Sequence, residues 1–181
     1  MDDRRRVKVS KYLSKHLRHD PERLGLTLAP GGWVGVDELL RACGAHRFAV
    51  TRAELDEVVA KSEKQRFAFD ETGERIRANQ GHSVAVDLQL EPTAPPEQLY
   101  HGTGAGSVDS ILATGLERRG RHHVHLSADA ETARRVGMRH GRPVVLSVAA
   151  GEMARAGHAF FVSTNGVWLV DAVPPAFLRR A

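Results

Sequence analysis

The chain has 181 residues, 41 % of them hydrophobic and 27 % charged, which suits a folded soluble protein of one large or two small domains. Its single cysteine, Cys43, excludes an intrachain disulfide and a CxxC metal or redox site. A net charge of +4 and a pI near 9.6 fit either a basic solvated surface or a polyanionic partner such as nucleic acid. Met1-Asp2-Asp3-Arg4-Arg5-Arg6 lacks the apolar stretch of a signal peptide, and no apolar run approaches membrane-spanning length. The expectation is a cytoplasmic protein.

The first predicted element is a helix with Val9, Tyr12, Leu13 and Leu17 on one face and Lys11, Lys15, Arg18 and His19 on the other. Asp20-Pro21 should end it. Pro30-Gly31-Gly32, set between apolar segments of Leu24 to Val34, predicts a short hairpin. Val36 to Cys43 reads as a second helix, with Cys43 a small core residue. Thr51-Arg52-Ala53-Glu54 is a capping-box signature ahead of the apolar stripe Leu55, Val58, Val59. Phe67-Ala68-Phe69 and Arg75-Ile76-Arg77, separated by Asp70 to Glu74, read as a hairpin. Helices followed by such a β-wing describe a winged-helix-like domain.

Residues 91–98 hold three prolines and read as a linker between near halves, 1–90 and 99–181. Beyond it, Leu99-Tyr100-His101 is a strand candidate. Ser107 to Leu116 reads as a short helix with Ser107 as N-cap and Gly115 near its end. Val124-His125-Leu126 is a strand, and Ala130 to Arg139 a helix stopped around Gly141. Pro143 to Val148, Ala159 to Val162 and Gly166 to Val170 are further strands. This half reads as α+β with a mostly antiparallel sheet.

Four polar clusters interrupt these patterns. Arg77-Ala78-Asn79-Gln80-Gly81-His82-Ser83 suits neither strand nor helix, and reads either as a solvated loop or as a polar loop that holds an anion or nucleotide. Arg18 and His19 at a helix end, with Arg66, Arg77 and His82, give the first half several donors suited to phosphate, although each singly is ordinary surface charge. His101-Gly102-Thr103 closes a strand where a glycine would let a ligand approach the backbone and His101 and Thr103 could bond a ribose or an amide. Arg121-His122-His123-Val124-His125-Leu126-Ser127 lacks zinc-ligand spacing and reads as a pocket lining or a solvated strand. No GxGxxG, GxxxxGK[ST] or GxSxG motif supports a Rossmann site, a P-loop or a hydrolase elbow.

In this order the clusters resemble the RNA 2′-phosphotransferase family (KptA-type, NAD-dependent). The resemblance rests on Ser10-Lys11-Tyr12-Leu13-Ser14 through Leu17-Arg18-His19, Gly32-Trp33-Val34, Lys64-Gln65-Arg66-Phe67 and Ile76 to Ser83. It continues through Leu99-Tyr100-His101-Gly102-Thr103, Gly115-Leu116 with Arg121, Val124-His125-Leu126-Ser127 and Asn165-Gly166-Val167-Trp168-Leu169. The arginine-rich N-terminus, the proline stretch and the alanine-rich segment near Met153 depart from the family pattern without touching a motif.

The resemblance implies an N-terminal winged-helix-like RNA-binding lobe and a C-terminal ADP-ribosyltransferase-like lobe that takes NAD as co-substrate; no cluster supplies a closed set of metal ligands, so no metal is expected. The substrate it implies is RNA carrying an internal 2′-phosphate, and the expected state is a monomer with no membrane partner. The family's catalytic quartet falls on Arg18, His19, Arg66 and Arg121. NAD-groove positions fall on His101, Gly102, Thr103, Ser110, Ile111, Gly115, Leu116, His125 and Ser127. Arg77, Asn79, Gln80, Gly81, His82 and Ser83 would form an interlobe surface near the RNA phosphate, and Lys11 and Lys15 would follow neighbouring phosphates. Two other readings compete: a plain ADP-ribosyltransferase, and a winged-helix binding protein with an inactive transferase lobe.

Overall fold

The computed structural model describes Met1–Ala181 as two compact units, Met1–Gln89 and Leu90–Ala181. Together they make a mixed α+β protein of four small sheets in which every strand pairing is antiparallel.

In the first unit, α1 (Asp3–Arg18) buries Val9, Leu13, His16 and Leu17, the stripe expected of an amphipathic helix. Asp2 caps it by accepting the Arg5 N–H at 2.6 Å. The predicted apolar face omitted His16, whose Nδ1 lies 3.0 Å from the Asp20 carbonyl. Tyr12 is half-buried and stacks on Phe48 at 3.9 Å between ring centres. Next come β1 (Val34–Gly35), α2 (Val36–Ala45), α3 (Arg52–Ala60), β2 (Phe67–Phe69) and β3 (Arg75–Ala78), with the strands ordered β1-β3-β2. Cys43 is buried in this core, and burial pushes its thiol up to about 11.

The predicted hairpin at Leu24 to Val34 is corrected. The chain makes a 3₁₀ turn at Glu22–Leu24 and a single Ala29–Trp33 bridge, while Val34 and Gly35 pair with β3. The turn at Gly31-Gly32 forms, but its arms pair only at Ala29 and Trp33, because Val34 and Gly35 are taken up by β3.

The capping box forms as expected. The Thr51 hydroxyl accepts the Glu54 N–H at 3.2 Å, and the Glu54 carboxylate accepts the Thr51 N–H at 3.0 Å. Glu54 also accepts from Arg5 Nε at 2.9 Å, which ties α3 to α1. The Arg5 hydrogen bond, followed by the Thr51 N–H, holds the Glu54 carboxyl down at about 2, against 4.5 for an ordinary glutamate. A depressed folded-state pKa contributes stability above the unfolded value and loses it as pH falls through the folded one. Denaturation titrations should therefore show stability falling between about pH 4.5 and pH 2, with a smaller fall in Glu54→Gln. An identical acid profile in the two proteins would contradict this.

In the second unit, β4 (Leu99–Gly104) leads through a 3₁₀ turn at Ala105–Ser107 into α4 (Val108–Thr114). There follow β5 (Leu116–Glu117), β6 (Val124–Leu126), α5 (Ala130–Gly137), β7 (Pro143–Val148) and α6 (Ala150–Arg155). The chain finishes with β8 (Phe160–Val162), β9 (Trp168–Val170), β10 (Ala172–Val173) and β11 (Leu178–Arg180). The sheets are β11-β7-β4, β6-β9-β8 and β10-β5.

Three expectations are corrected here. Ser107 stands at the N-cap position of α4 as expected but makes no side-chain capping bond, because the preceding 3₁₀ turn has already made its backbone helical. Leu116 leaves the helix for a strand, because Gly115 at φ +88° turns the chain. Helix α5 gives way to a 3₁₀ turn at Met138–His140 before Gly141. The proline-rich stretch is tied into this unit: the Thr93 N–H donates to the Phe160 carbonyl at 2.7 Å, and Glu97 pairs with Arg155 at 2.8 and 3.1 Å.

Candidate active site

In the first unit the helix end and the polar loop are built together. His19 leaves the helical backbone (φ −126°, ψ −30°) while its N–H still reaches the Lys15 carbonyl. The Arg18 carbonyl then accepts the N–H groups of Ser83 at 2.9 Å and Val84 at 3.3 Å. The Ser83 hydroxyl lies 2.9 Å from His19 Nδ1. Gly81, at φ +88°, brings backbone against the Arg18 side chain, so that a Cβ there would lie 3.5 Å from Arg18 Nη1.

The same loop holds the segment before β2. The Asn79 N–H donates to the Arg66 carbonyl at 2.9 Å, and its side-chain amide donates to the Gln65 carbonyl at 2.6 Å. Residues 79–83 thus bond to the backbone beside Arg18, His19 and Arg66 at once. Asn79 is 4 % and His82 1 % exposed, so the solvated-loop alternative is excluded for both. Both side chains are packed inside the loop, which they support from within. Gln80 and Gly81 are half-buried and Ser83 is exposed.

Arg77 is half-buried with its guanidinium 4.6 Å from the centre of the Trp33 ring, and Nη1 reaches the Gly31 carbonyl at 3.4 Å. Burial lowers its pKa. Arg75 lies 5.5 Å from the same ring, an alignment of two strand arginines with an indole that no local pattern announces. Lys11 and Lys15 are exposed on α1.

In the second unit a backbone pair, Tyr100 to Ser127 at 2.9 and 2.8 Å, joins β4 to the end of β6. That junction brings His101, His125, Ser127 and Arg121 together. His101 Nδ1 lies 3.2 Å from the His125 carbonyl, and a carbonyl only accepts, so Nδ1 carries the proton. Burial is the main cause that lowers the His101 pKa, which favours the neutral ring and leaves Nε2 as an acceptor for a hydroxyl. Arg121 is exposed and its Nη1 lies 3.4 Å from His125 Nδ1, which must accept because a guanidinium only donates. His123 stands 5.5 Å from the Phe161 ring, and burial lowers its pKa too.

The other residues expected to line an NAD groove differ in burial. Ile111 and Leu116 are 8 % and 6 % exposed and belong to the apolar core of this unit. Gly115 rests against the Val173 carbonyl, Thr103 is buried, and Ser110 is exposed on α4.

The reading of Gly102 as room for a ligand is corrected. A Cβ there would meet the Ala133 carbonyl oxygen at 1.6 Å, so α5 fills the space. Overpacking typically costs about 1–3 kcal/mol and occasionally more. Gly102→Ala should fall at or above the top of that range in urea denaturation, since the clash is with backbone. An unchanged midpoint would contradict the packing assignment.

No three His, Cys, Asp or Glu side chains are grouped so as to hold a metal ion, and no helix is long and apolar enough to cross a membrane. The sequence model described as "RNA 2'-phosphotransferase, Tpt1 / KptA family" matches residues 4–172. A "Probable RNA 2'-phosphotransferase" of Nostoc punctiforme is 63 % identical over 180 residues, covering 99 % of both chains. One of Streptomyces griseus is 64 % identical over 185 residues, 98 % of each chain. A third, of Hahella chejuensis, is 49 % identical over 176 residues, 97 % of this chain and 95 % of its own. On a match of this length and identity, the chain belongs to the RNA 2′-phosphotransferase family, an NAD-dependent family of enzymes.

Proposed function

We propose that this chain removes an internal 2′-phosphate from RNA by transferring it to NAD through an RNA-phosphate-ADP-ribose intermediate. The products are 2′-hydroxyl RNA, nicotinamide and ADP-ribose 1″,2″-cyclic phosphate. The observation that carries the reading is the loop 79–83, whose hydrogen bonds gather Arg18, His19 and Arg66 in one unit.

The first unit is read as a winged-helix-like RNA-binding lobe, on the order α2, α3, then the β2–β3 wing. The second is read as an ADP-ribosyltransferase-like lobe. NAD, when bound, supplies an electrophilic ribose carbon and a neighbouring hydroxyl. His101 Nε2 is an acceptor suited to a ribose hydroxyl, and the exposed guanidinium of Arg121 is suited to phosphate charge. Arg18 and Arg66 oppose the charge that builds at phosphorus when its bond to RNA breaks. His19 moves the proton that passes from the ribose hydroxyl to the RNA 2′-oxygen.

The test is an oligonucleotide bearing one internal 2′-phosphate, incubated with and without NAD and with EDTA in both arms. Dephosphorylation that requires NAD and survives chelation is expected. A stable ADP-ribosylated product would favour the plain ADP-ribosyltransferase, binding without turnover the inactive binding protein, and loss with EDTA restored by Mg²⁺ or Zn²⁺ a metal site.

Lys11 and Lys15 share the exposed side of the helix that ends at Arg18, and are assigned to RNA phosphates beside the reacting one. Each phosphate contact adds about −0.7 to the slope of log K against log salt for single strands. Replacing both by Ala should weaken RNA binding at low salt, flatten that slope by somewhat more than one unit, and leave NAD affinity unchanged. An unchanged slope would mean that the two lysines only solvate the helix.

A further inference from the structure

We propose that Ser83 is a positioning residue for His19: its hydroxyl holds the proton of the imidazole on Nδ1 and aims Nε2 at the reacting oxygens. The inference rests on the reading that His19 moves a proton. His19 follows the last residue of α1 and is exposed, so the helix itself does not fix its ring. Ser83 Oγ lies at its Nδ1, 2.9 Å away.

Ser83 is itself fixed. Its N–H and that of Val84 both donate to the Arg18 carbonyl, so the serine is anchored to the residue before the histidine it touches. Asn79 anchors the other end of the loop to Gln65 and Arg66. The backbone that carries the hydroxyl is therefore held at both ends of the loop. Holding His19 replaces a direct RNA contact as the role of Ser83.

The chemistry requires the ring to be oriented. In the second step the ribose 2″-oxygen forms a bond to phosphorus, and the bond from phosphorus to the RNA 2′-oxygen breaks with its electron pair going to that oxygen. The proton lost by the 2″-hydroxyl ends on the RNA 2′-oxygen. To carry it, Nε2 must start as a lone pair, gain the proton and give it up again. Throughout that cycle Nδ1 keeps its own proton and donates to Ser83 Oγ, whether the ring is neutral or cationic. Without this bond Nδ1 loses the acceptor that keeps the proton there, and the neutral ring can place it on Nε2 instead.

The test compares Ser83→Ala, Ser83→Thr, His19→Ala and the double variant Ser83→Ala/His19→Ala in single turnover, with melting temperatures for all four. Ser83→Ala should slow breakdown of the intermediate about tenfold, on the scale of one hydrogen bond, with the KM for RNA and the melting temperature unchanged. Ser83→Thr, which keeps the hydroxyl, should recover most of the rate. In the His19→Ala background the Ser83 change should have no further effect.

A wild-type rate in Ser83→Ala while His19→Ala is inactive would overturn the inference alone. So would a raised KM for RNA with the rate unchanged, or an equal further loss in the double variant. Full activity in His19→Ala would instead remove His19 from the reaction, and the role of Ser83 with it.

Discussion

Replacing Arg121 by Ala is expected to reduce turnover by about 10²- to 10³-fold, the usual loss when one donor to a developing anion is removed. Arg121 is exposed and forms no salt bridge to a carboxylate; its Nη1 lies 3.4 Å from His125 Nδ1. A guanidinium whose charge is not cancelled by a neighbouring acid retains its full attraction for phosphate. Arg121→Lys should recover only part of the loss, because an ammonium keeps the charge without the planar fork. Steady-state assays check both variants, and near wild-type turnover in Arg121→Ala would remove it from the catalytic set.

Arg18→Ala and Arg66→Ala are expected to let the RNA-phosphate-ADP-ribose intermediate accumulate. The reason is how charge would move in the two proposed steps. In the first, a phosphate oxygen spends negative charge in forming its bond to carbon, so cations around the phosphate give little help. In the second, attack on phosphorus crowds charge onto its free oxygens, and guanidinium groups there stabilise the transition state. Arg18 and Arg66 both flank the loop that carries Asn79 and Ser83, so one rigid frame fixes the backbone beside each. Quenched time courses resolved on a gel check this. Variants that form neither intermediate nor product would place both arginines earlier, in RNA docking.

Local periodicity carried much of the fold. The stripe of α1, the capping box at Thr51 and Glu54, and the β2–β3 hairpin each follow from residues within a few positions of one another. Features set by distant partners were not legible. Strand β10 pairs with β5 and β11 with β7, and neither short segment shows an alternation of its own. Helix α6 lies in an alanine-rich stretch that offered no clear face. Gly102 looked like room for a ligand because the backbone of α5 that occupies the space lies further along the chain.

The polar segment 77–83 shows the same limit within the candidate site. Its composition marked it as unusual, but its hydrogen bonds go to carbonyls of Gln65, Arg66 and Arg18, which no motif encodes. Motif order brought forward Arg18, His19, Arg66 and Arg121; only the tertiary contacts separate side chains that face outward from those, such as His82 and Asn79, that are buried. Trp33 lies within the Gly32-Trp33-Val34 motif, yet its place beside Arg75 and Arg77 depends on the pairing of β1 with β3.

The most direct measurement follows the phosphorus. An oligonucleotide whose internal 2′-phosphate is radiolabelled is incubated with the enzyme and NAD, and the labelled products are separated. The account predicts that the label passes through a species joined to both RNA and ADP-ribose and ends in ADP-ribose 1″,2″-cyclic phosphate. Release of the label as inorganic phosphate, with NAD left intact, would contradict it.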